Sequence, residues 1–398
     1  MHKDDAMLTF QKNEDSNFAA EESSVQEGYC RIAFTPSPHD GIAKLWFHWF
    51  VRNESPEPLP PQTRIILKNL QGVLGAEDGS FQPVIRTDKS DWERLHSGVR
   101  SVLPDGRTQL EWIVKTPQRN GFLECALCYP YWMPELERMC QETGGYWVED
   151  EIGVTREERR ILRLSNCYGN PERPERGLYL LARQHAGETP GSWVLDGLLR
   201  RLAERKAPFP VWCIPFADPD GIANGDYGKD SFPQDMNRSW GPFEFMRHET
   251  KVIGTDLREW RRRILPGESL VLDFHAPGAD ETGVYAYVSD ESRKHPFRWK
   301  IHDLLPRLDR AIAPCSQTPF LRTGGYKKYS AWGEFANLSE FCLWTLPLLF
   351  ASIEISYWKA GGKVLTRKEY QNIGSRITDE IISIFSESLQ SGVNKKCV

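Results

Sequence analysis

With 398 residues the chain is long enough for two domains, and 40% hydrophobic with 26% charged residues is the balance of an ordinary globular protein, not of a disordered or fibrous one. A net charge of −5 leaves no basic footprint, which argues against a dedicated nucleic-acid binder. The most apolar stretch, Phe341 to Ile353, is too short to cross a bilayer and runs into Glu354, and Met1-His-Lys-Asp-Asp-Ala6 lacks the apolar core of a secretory leader, so neither a membrane nor an export route is expected. Nine cysteines, scattered and odd in number, fit a reducing cytoplasm better than a disulfide framework.

In chain order, residues 1–22 are polar and acidic and read as a loose tail. Short strand-like runs then follow at Cys30–Phe34, Lys44–Arg52, Thr63–Lys68, Phe81–Arg86 and Gln109–Lys115, with Pro- and Gly-rich gaps between them. Their spacing predicts a β-sandwich over residues 23–130. His48 and its neighbouring tryptophans read as core or interface residues there. Cys125 and Cys128 form a C-x-x-C pair without a partner pair and read as buried structural thiols.

Beyond residue 130 the pattern changes to strands near 159–164, 177–183, 211–215, 270–275 and 351–356, alternating with helical stretches near 192–206, 244–264, 297–312 and 366–390. That alternation predicts an α/β domain with a mostly parallel or mixed sheet over residues 131–392. Its most informative stretch is Arg183-Gln-His-Ala-Gly-Glu-Thr-Pro-Gly-Ser192, between the apolar run Gly177–Ala182 and the helical pattern Trp193–Ala203. His185 and Glu188 therefore fall on a loop at the carboxyl end of a strand, where open α/β sheets bind ligands. Nitrogen and carboxylate ligands three residues apart suit a zinc ion, although the pair alone also fits a plain polar loop. A second buried strand, Leu270–Phe274, ends in His275 and offers the third ligand.

Two further stretches carry polar groups suited to chemistry. Asp235, Asn237 and Arg238 cluster in one loop, where an arginine fork suits a carboxylate and an aspartate suits the outer nitrogen of a ligand histidine. Taken alone they also fit a solvated loop. Glu354 lies in the apolar strand Ala351–Trp358, and a carboxylate so placed is costly unless it is paired or works in a site.

The set Ala182-Arg-Gln-His-Ala-Gly-Glu-Thr189, Pro219-Asp-Gly221, Asp235-Met-Asn-Arg238, Asp273-Phe-His275 and Ile353-Glu-Ile-Ser356 resembles the zinc metallocarboxypeptidases, the carboxypeptidase A-like family. The nearest branch is the cytosolic carboxypeptidases, whose leading β-sandwich is resembled by Leu45–Asn53 and Ala126–Tyr131. The resemblance implies a mixed-sheet catalytic domain behind an all-β sandwich. It implies Zn2+ on His185, Glu188 and His275, with Asp235 orienting His185. It implies Asn237 and Arg238 on the terminal carboxylate of a peptide or protein substrate, and Glu354 as general base.

Two features depart from that pattern. Gly228 stands where the family carries an oxyanion arginine, and Lys229 beside it is the substitute candidate. The family's mobile tyrosine has two candidates, Tyr326 and Tyr329. The missing arginine keeps an alternative open, a zinc amidase or esterase acting on a small carboxylate-bearing or cell-wall-type substrate. A binding protein that kept the fold and lost catalysis is a further alternative.

Overall fold

The strands of this chain are of two kinds, and they build two kinds of sheet. Strand Thr108–Lys115 alternates buried and more exposed residues, the mark of a sheet with one face in the core and one in solvent. Strands Leu178–Ala182 and Leu270–His275 are buried at every position, as in parallel strands covered on both faces. The computed structural model describes residues 8–12, 14–17, 22–37, 43–166, 175–229, 231–241, 247–289, 298–315, 321–324 and 337–393.

The first region is all-β. Its strands are β1 (Thr9–Gln11), β2 (Glu22–Gln26), β3 (Tyr29–Phe34), β4 (His48–Arg52), β5 (Gln62–Lys68), β6 (Val84–Thr87), β7 (Glu93–Arg94), β8 (Val99–Val102), β9 (Thr108–Lys115) and β10 (Phe122–Ala126). They form two five-stranded sheets, ordered β1-β4-β10-β6-β7 and β2-β3-β5-β9-β8. All pairings are antiparallel except β3 with β5. Residues 8–12 and 14–17 are not the loose tail that their polarity suggests. Leu8 is buried, β1 pairs with β4, and Asp15 and Asn17 are buried. Polarity failed as a guide because these polar groups have specific partners: Asn17 Nδ2 donates to the carbonyls of Ser37 (3.0 Å) and Gly225 (2.6 Å).

The second region is α/β. After α1 (Met133–Glu142) come β11 (Val148–Val154), β12 (Arg160–Ser165), β13 (Leu178–Ala182), α2 (Thr189–Arg205), β14 (Val211–Ile214), α3 (Pro219–Ala223), α4 (His248–Arg263), β15 (Leu270–His275), β16 (Val284–Ser289), α5 (Arg298–Ile312), β17 (Leu321–Gly324), α6 (Leu338–Glu340), β18 (Leu349–Ile355) and α7 (Arg367–Val393). The eight-stranded sheet runs β11-β12-β14-β13-β15-β18-β16-β17 and is mixed. β14, β13, β15 and β18 are mutually parallel, while β12 joins β14 and β16 joins β18 antiparallel. Helix α2 starts at Thr189, three residues before the predicted 192, because Pro190 presets the first turn.

From β13 the chain moves to β14 on one side, then returns past β13 to build β15 on the other. The carboxyl ends of β13 and β15 thus flank a switch point, the place in such sheets where connections diverge and leave a crevice.

The β-sandwich packs directly behind that crevice. Trp46 lies against Gly187, where an added Cβ would come within 2.6 Å of the tryptophan side chain. Trp193 Nε1 donates to the Tyr129 carbonyl (3.0 Å), and Tyr131 OH donates to Asp196 (2.9 Å). On the far side the backbone of Gly75 meets that of Gly278, and Asp78 N donates to Asp280 Oδ2 (2.9 Å). Cys125 and Cys128 are buried free thiols, and burial pushes the Cys125 thiol well up. Among the described residues no helix is long and apolar enough to cross a membrane.

Candidate active site

The loop after β13 is braced by an internal cation. Arg183, itself in the left-handed region at φ 64°, turns a fully buried guanidinium back into the loop. It donates to the carbonyls of Ala186 (2.6 Å) and Tyr131 (2.8 Å) and to Ser192 Oγ (3.3 Å). Burial pulls its pKa down to about 10. The brace fixes the turn that carries His185 and Glu188, and Glu188 stands at the N-cap position of α2 with its side chain turned to the histidines instead of the helix end.

His185, Glu188 and His275 come together with one ligand atom each, all within 4.8 Å of one another and all three residues buried. Glu188 lies between the two rings: Oε1 is 2.9 Å from His185 Nδ1 and Oε2 is 2.9 Å from His275 Nδ1. The outer nitrogens are held from behind, His185 Nε2 by Asp235 Oδ1 (3.3 Å) and His275 Nε2 by Asp273 Oδ2 (2.7 Å). An acceptor on each Nε2 keeps the proton there and leaves Nδ1 as the lone-pair nitrogen.

The donor set fits a zinc ion: two Nδ1 atoms and a carboxylate converge, each imidazole has its tautomer set, and the surplus of carboxylates favours a cation. Without the metal those carboxylates charge the histidines instead. Burial opposes charge on His185, but Glu188 and Asp235 outweigh it and hold the ring up to about 9. His275 is likewise raised, by Asp273 and Glu188 against burial. Glu188 and Asp235 are lowered despite burial, chiefly by the histidines.

Glu354 sits opposite His275 in the parallel β15–β18 register, so both side chains leave the sheet on the same side at the crevice. Its carboxyl is raised, first by burial and then by Glu188, against the pull of His275, Lys229 and His185. The charge of Lys229 acts through space to lower both Glu354 and Asp235. Gly228 cannot carry a side chain here. Its φ is +89°, and a Cβ would lie 2.4 Å from Ala186 N and 3.0 Å from the Cα of His185. The backbone at His185 and Ala186 thus occupies the space an arginine at this position would need.

Asp235 caps its own loop by accepting from Asn237 N (2.8 Å). Asn237 is buried, with Nδ2 3.4 Å from His275 Nε2 and Oδ1 accepting from Leu338 N (3.3 Å). Arg238 is less buried and bonds the Asn237 carbonyl (2.8 Å). Tyr326 and Tyr329 lie outside the described residues. Sequence reasoning missed Asp273 as a partner of His275, yet the signal was present: residues two apart on a strand share a face. It also missed Gln184 and Trp240, whose bonding depends on chain segments far apart in sequence.

A family model for the succinylglutamate desuccinylase/aspartoacylase catalytic domain matches residues 174–316. In sequence the chain is 24% identical over 284 residues to cytosolic carboxypeptidase 2 of Danio rerio, an alignment covering 62% of this chain and 38% of that protein. The chain spans less than two thirds of the length of the curated relatives it matches first. Its fold is similar to that of a metallo-carboxypeptidase from Burkholderia cenocepacia, with a TM-score of 0.73 at 18% identity, covering 96% of this chain and 100% of that one. It is similar also to a metallo-carboxypeptidase from Pseudomonas aeruginosa in complex with (2-guanidinoethylmercapto)succinic acid, with a TM-score of 0.70 at 19% identity, covering 95% and 99% of the two chains. The matched family model and the sequence relatives make the second region of this chain similar to metallo-carboxypeptidases and their relatives, and the fold as a whole is that of the two bacterial metallo-carboxypeptidases.

Proposed function

We propose that the protein is a zinc-dependent metallocarboxypeptidase that removes a C-terminal amino acid from peptides or proteins in the cytoplasm. The observation that carries this reading is the convergence of His185, Glu188 and His275 at a strand-end crevice, with Glu354 in register beside His275. His185 Nδ1, His275 Nδ1 and Glu188 would hold the metal. Bound there, zinc supplies a Lewis acid and an activated water.

The chain's own groups account for the rest. Glu354 accepts the proton released by the attacking water and returns it to the leaving amine, a role its raised pKa suits. Asp235 and Asp273 hold the two rings in the ligating tautomer. Arg238, with Asn237 beside it, receives the substrate's terminal carboxylate. Lys229 offers its ammonium to the developing oxyanion in place of the arginine that position 228 cannot accommodate. The β-sandwich holds the metal loop from behind through Trp46.

The test is mass spectrometry of a mixed peptide library, with and without a zinc chelator and with Glu354→Gln protein in parallel. Loss of single C-terminal residues is expected, abolished by the chelator and slowed about 100- to 10,000-fold by the substitution with zinc still bound. Turnover by Glu354→Gln at the wild-type rate would overturn the assignment.

A second reading, an amidase acting on small acyl-amino acids, draws on the matched family model and on the Gly228 departure. Cleavage of N-acyl amino acids with none of the peptide library selects it.

A further inference from the structure

Behind Asp273, the carboxylate on His275, lie two side chains to which the proposed reaction gives no role. Trp240 Nε1 donates to Gln184 Oε1 (2.7 Å), Gln184 Nε2 donates to Asp273 Oδ2 (2.6 Å), and Asp273 Oδ2 accepts from His275 Nε2 (2.7 Å). Trp240, Gln184 and Asp273 are all fully buried.

The direction of this chain is fixed by chemistry. An indole N–H can only donate, so the oxygen of Gln184 must face Trp240. The amide nitrogen must then face Asp273, and the flip ambiguity of a glutamine side chain disappears. Asp273 depends on that nitrogen. Its second oxygen, Oδ1, is buried without a hydrogen bond, and so is the hydroxyl of Ser352, its register neighbour on β18. The two hydrogen bonds of the carboxylate, from His275 and from Gln184, thus fall on a single oxygen. A buried carboxylate stripped of one of only two donors is costly. It recovers by shifting toward His275, and that shift disturbs the nitrogen presented at the centre.

We infer that Gln184 and Trp240 are positioning residues that tune the metal affinity of the centre by holding Asp273, and through it His275, in the ligating arrangement. Seen this way, the segment from Asp235 to Trp240 serves both histidines: Asp235 holds His185 directly, and Trp240 holds His275 through two intermediates. The inference rests on the reading that the centre takes a metal, but not on a peptide being the substrate.

The test is equilibrium competition for Zn2+ between metal-free protein and a chelator of known affinity. Gln184→Leu removes the donor at similar volume, and Trp240→Phe removes only the indole N–H. Gln184→Leu is expected to weaken zinc binding about 10- to 100-fold, and Trp240→Phe by less. Because Trp240 acts only through Gln184, the double variant is expected to bind no more weakly than Gln184→Leu alone. The visible spectrum of the Co2+-loaded protein is expected to shift in Gln184→Leu, which a merely structural role would not cause. Should Gln184→Leu fail to fold, Trp240→Phe and Gln184→Glu carry the same measurement, the latter placing a carboxylate where the amide donor stood. Wild-type zinc affinity in the folded variants, or losses that simply add in the double variant, would overturn the inference and leave the peptidase reading untouched. Absence of peptide turnover alongside the expected affinity losses would remove the peptidase reading and leave this one standing.

Discussion

Two buried histidines in this protein have nearly the same surroundings and different consequences. His48, in the β-sandwich, lies between Asp15 on Nδ1 (2.6 Å) and Glu124 on Nε2 (2.7 Å). His185, in the α/β region, lies between Glu188 on Nδ1 and Asp235 on Nε2. Both rings are held above their ordinary pKa against burial, His48 up to about 10 and His185 up to about 9.

The difference lies in where the carboxylates lead. Glu124 turns to Arg86, whose guanidinium bonds its other oxygen (Nε 2.8 Å), so the network closes in a balanced ion cluster that ties the N-terminal segment to β4 and β10. Glu188 turns to a second imidazole, so ligand-type atoms from three residues converge on one point. Burial, residue type and raised pKa are shared by the two sites; convergence on a common point separates them.

The comparison can be broken at several places. The largest effect is expected at Glu188. Glu188→Gln removes the charge that both Nδ1 atoms face, and zinc affinity is expected to fall by more than the 10- to 100-fold loss typical of outer partners. Elemental analysis after dialysis against a weak chelator reads this directly, and wild-type zinc content in the variant would dissolve the distinction between the two histidines.

Next comes His48→Gln, which removes the cation that the buried Asp15 and Glu124 share and leaves Glu124 its bond to Arg86. A loss of about 3–5 kcal/mol in denaturant stability is expected, with zinc content unchanged. The pH dependence gives the sign: the folded-state pKa is raised, so the contribution of His48 is complete below the unfolded value of about 6.5 and is lost as pH climbs to about 10. A drop in zinc content in this variant would show that the sandwich network serves the centre as well.

The smallest effect is at the contact behind His275, where burial and the neighbouring Asp78 carboxyl hold Asp280 up to about 7. An acid with a raised folded-state pKa binds more protons folded than unfolded, so stability falls as pH rises from about 4 to about 7. Asp280→Asn keeps the acceptor for Asp78 N and removes the charge. It is expected to stabilise the protein at pH 8 by about 1 kcal/mol or less, given solvent screening, and to have no effect at pH 4. Equal gains at both values would sink the carboxyl-pair account of this contact.

The central strands were legible because they are buried on both faces and read as unbroken apolar runs: Leu178–Ala182 and Leu270–His275 fall within a residue of expectation. The helices were legible from their period, and His185, Glu188 and His275 from their place at strand ends. The packed residues 8–12 and 14–17 were not, because polar residues look alike whether they face solvent or a distant acceptor.

By itself the sequence determined which residues could be ligands, which strands are central, and that position 228 lacks the family's arginine. Local chemistry and periodicity encode these within a few residues. Only the tertiary structure decided that Glu188 faces both histidines, that Gly228 is pressed against the backbone of His185 and Ala186, and that Trp240 reaches His275 through Gln184 and Asp273. Apart from the local pairs Glu188–His185 and Asp273–His275, those are contacts between segments about 40 to 90 residues apart, and no local pattern carries that geometry.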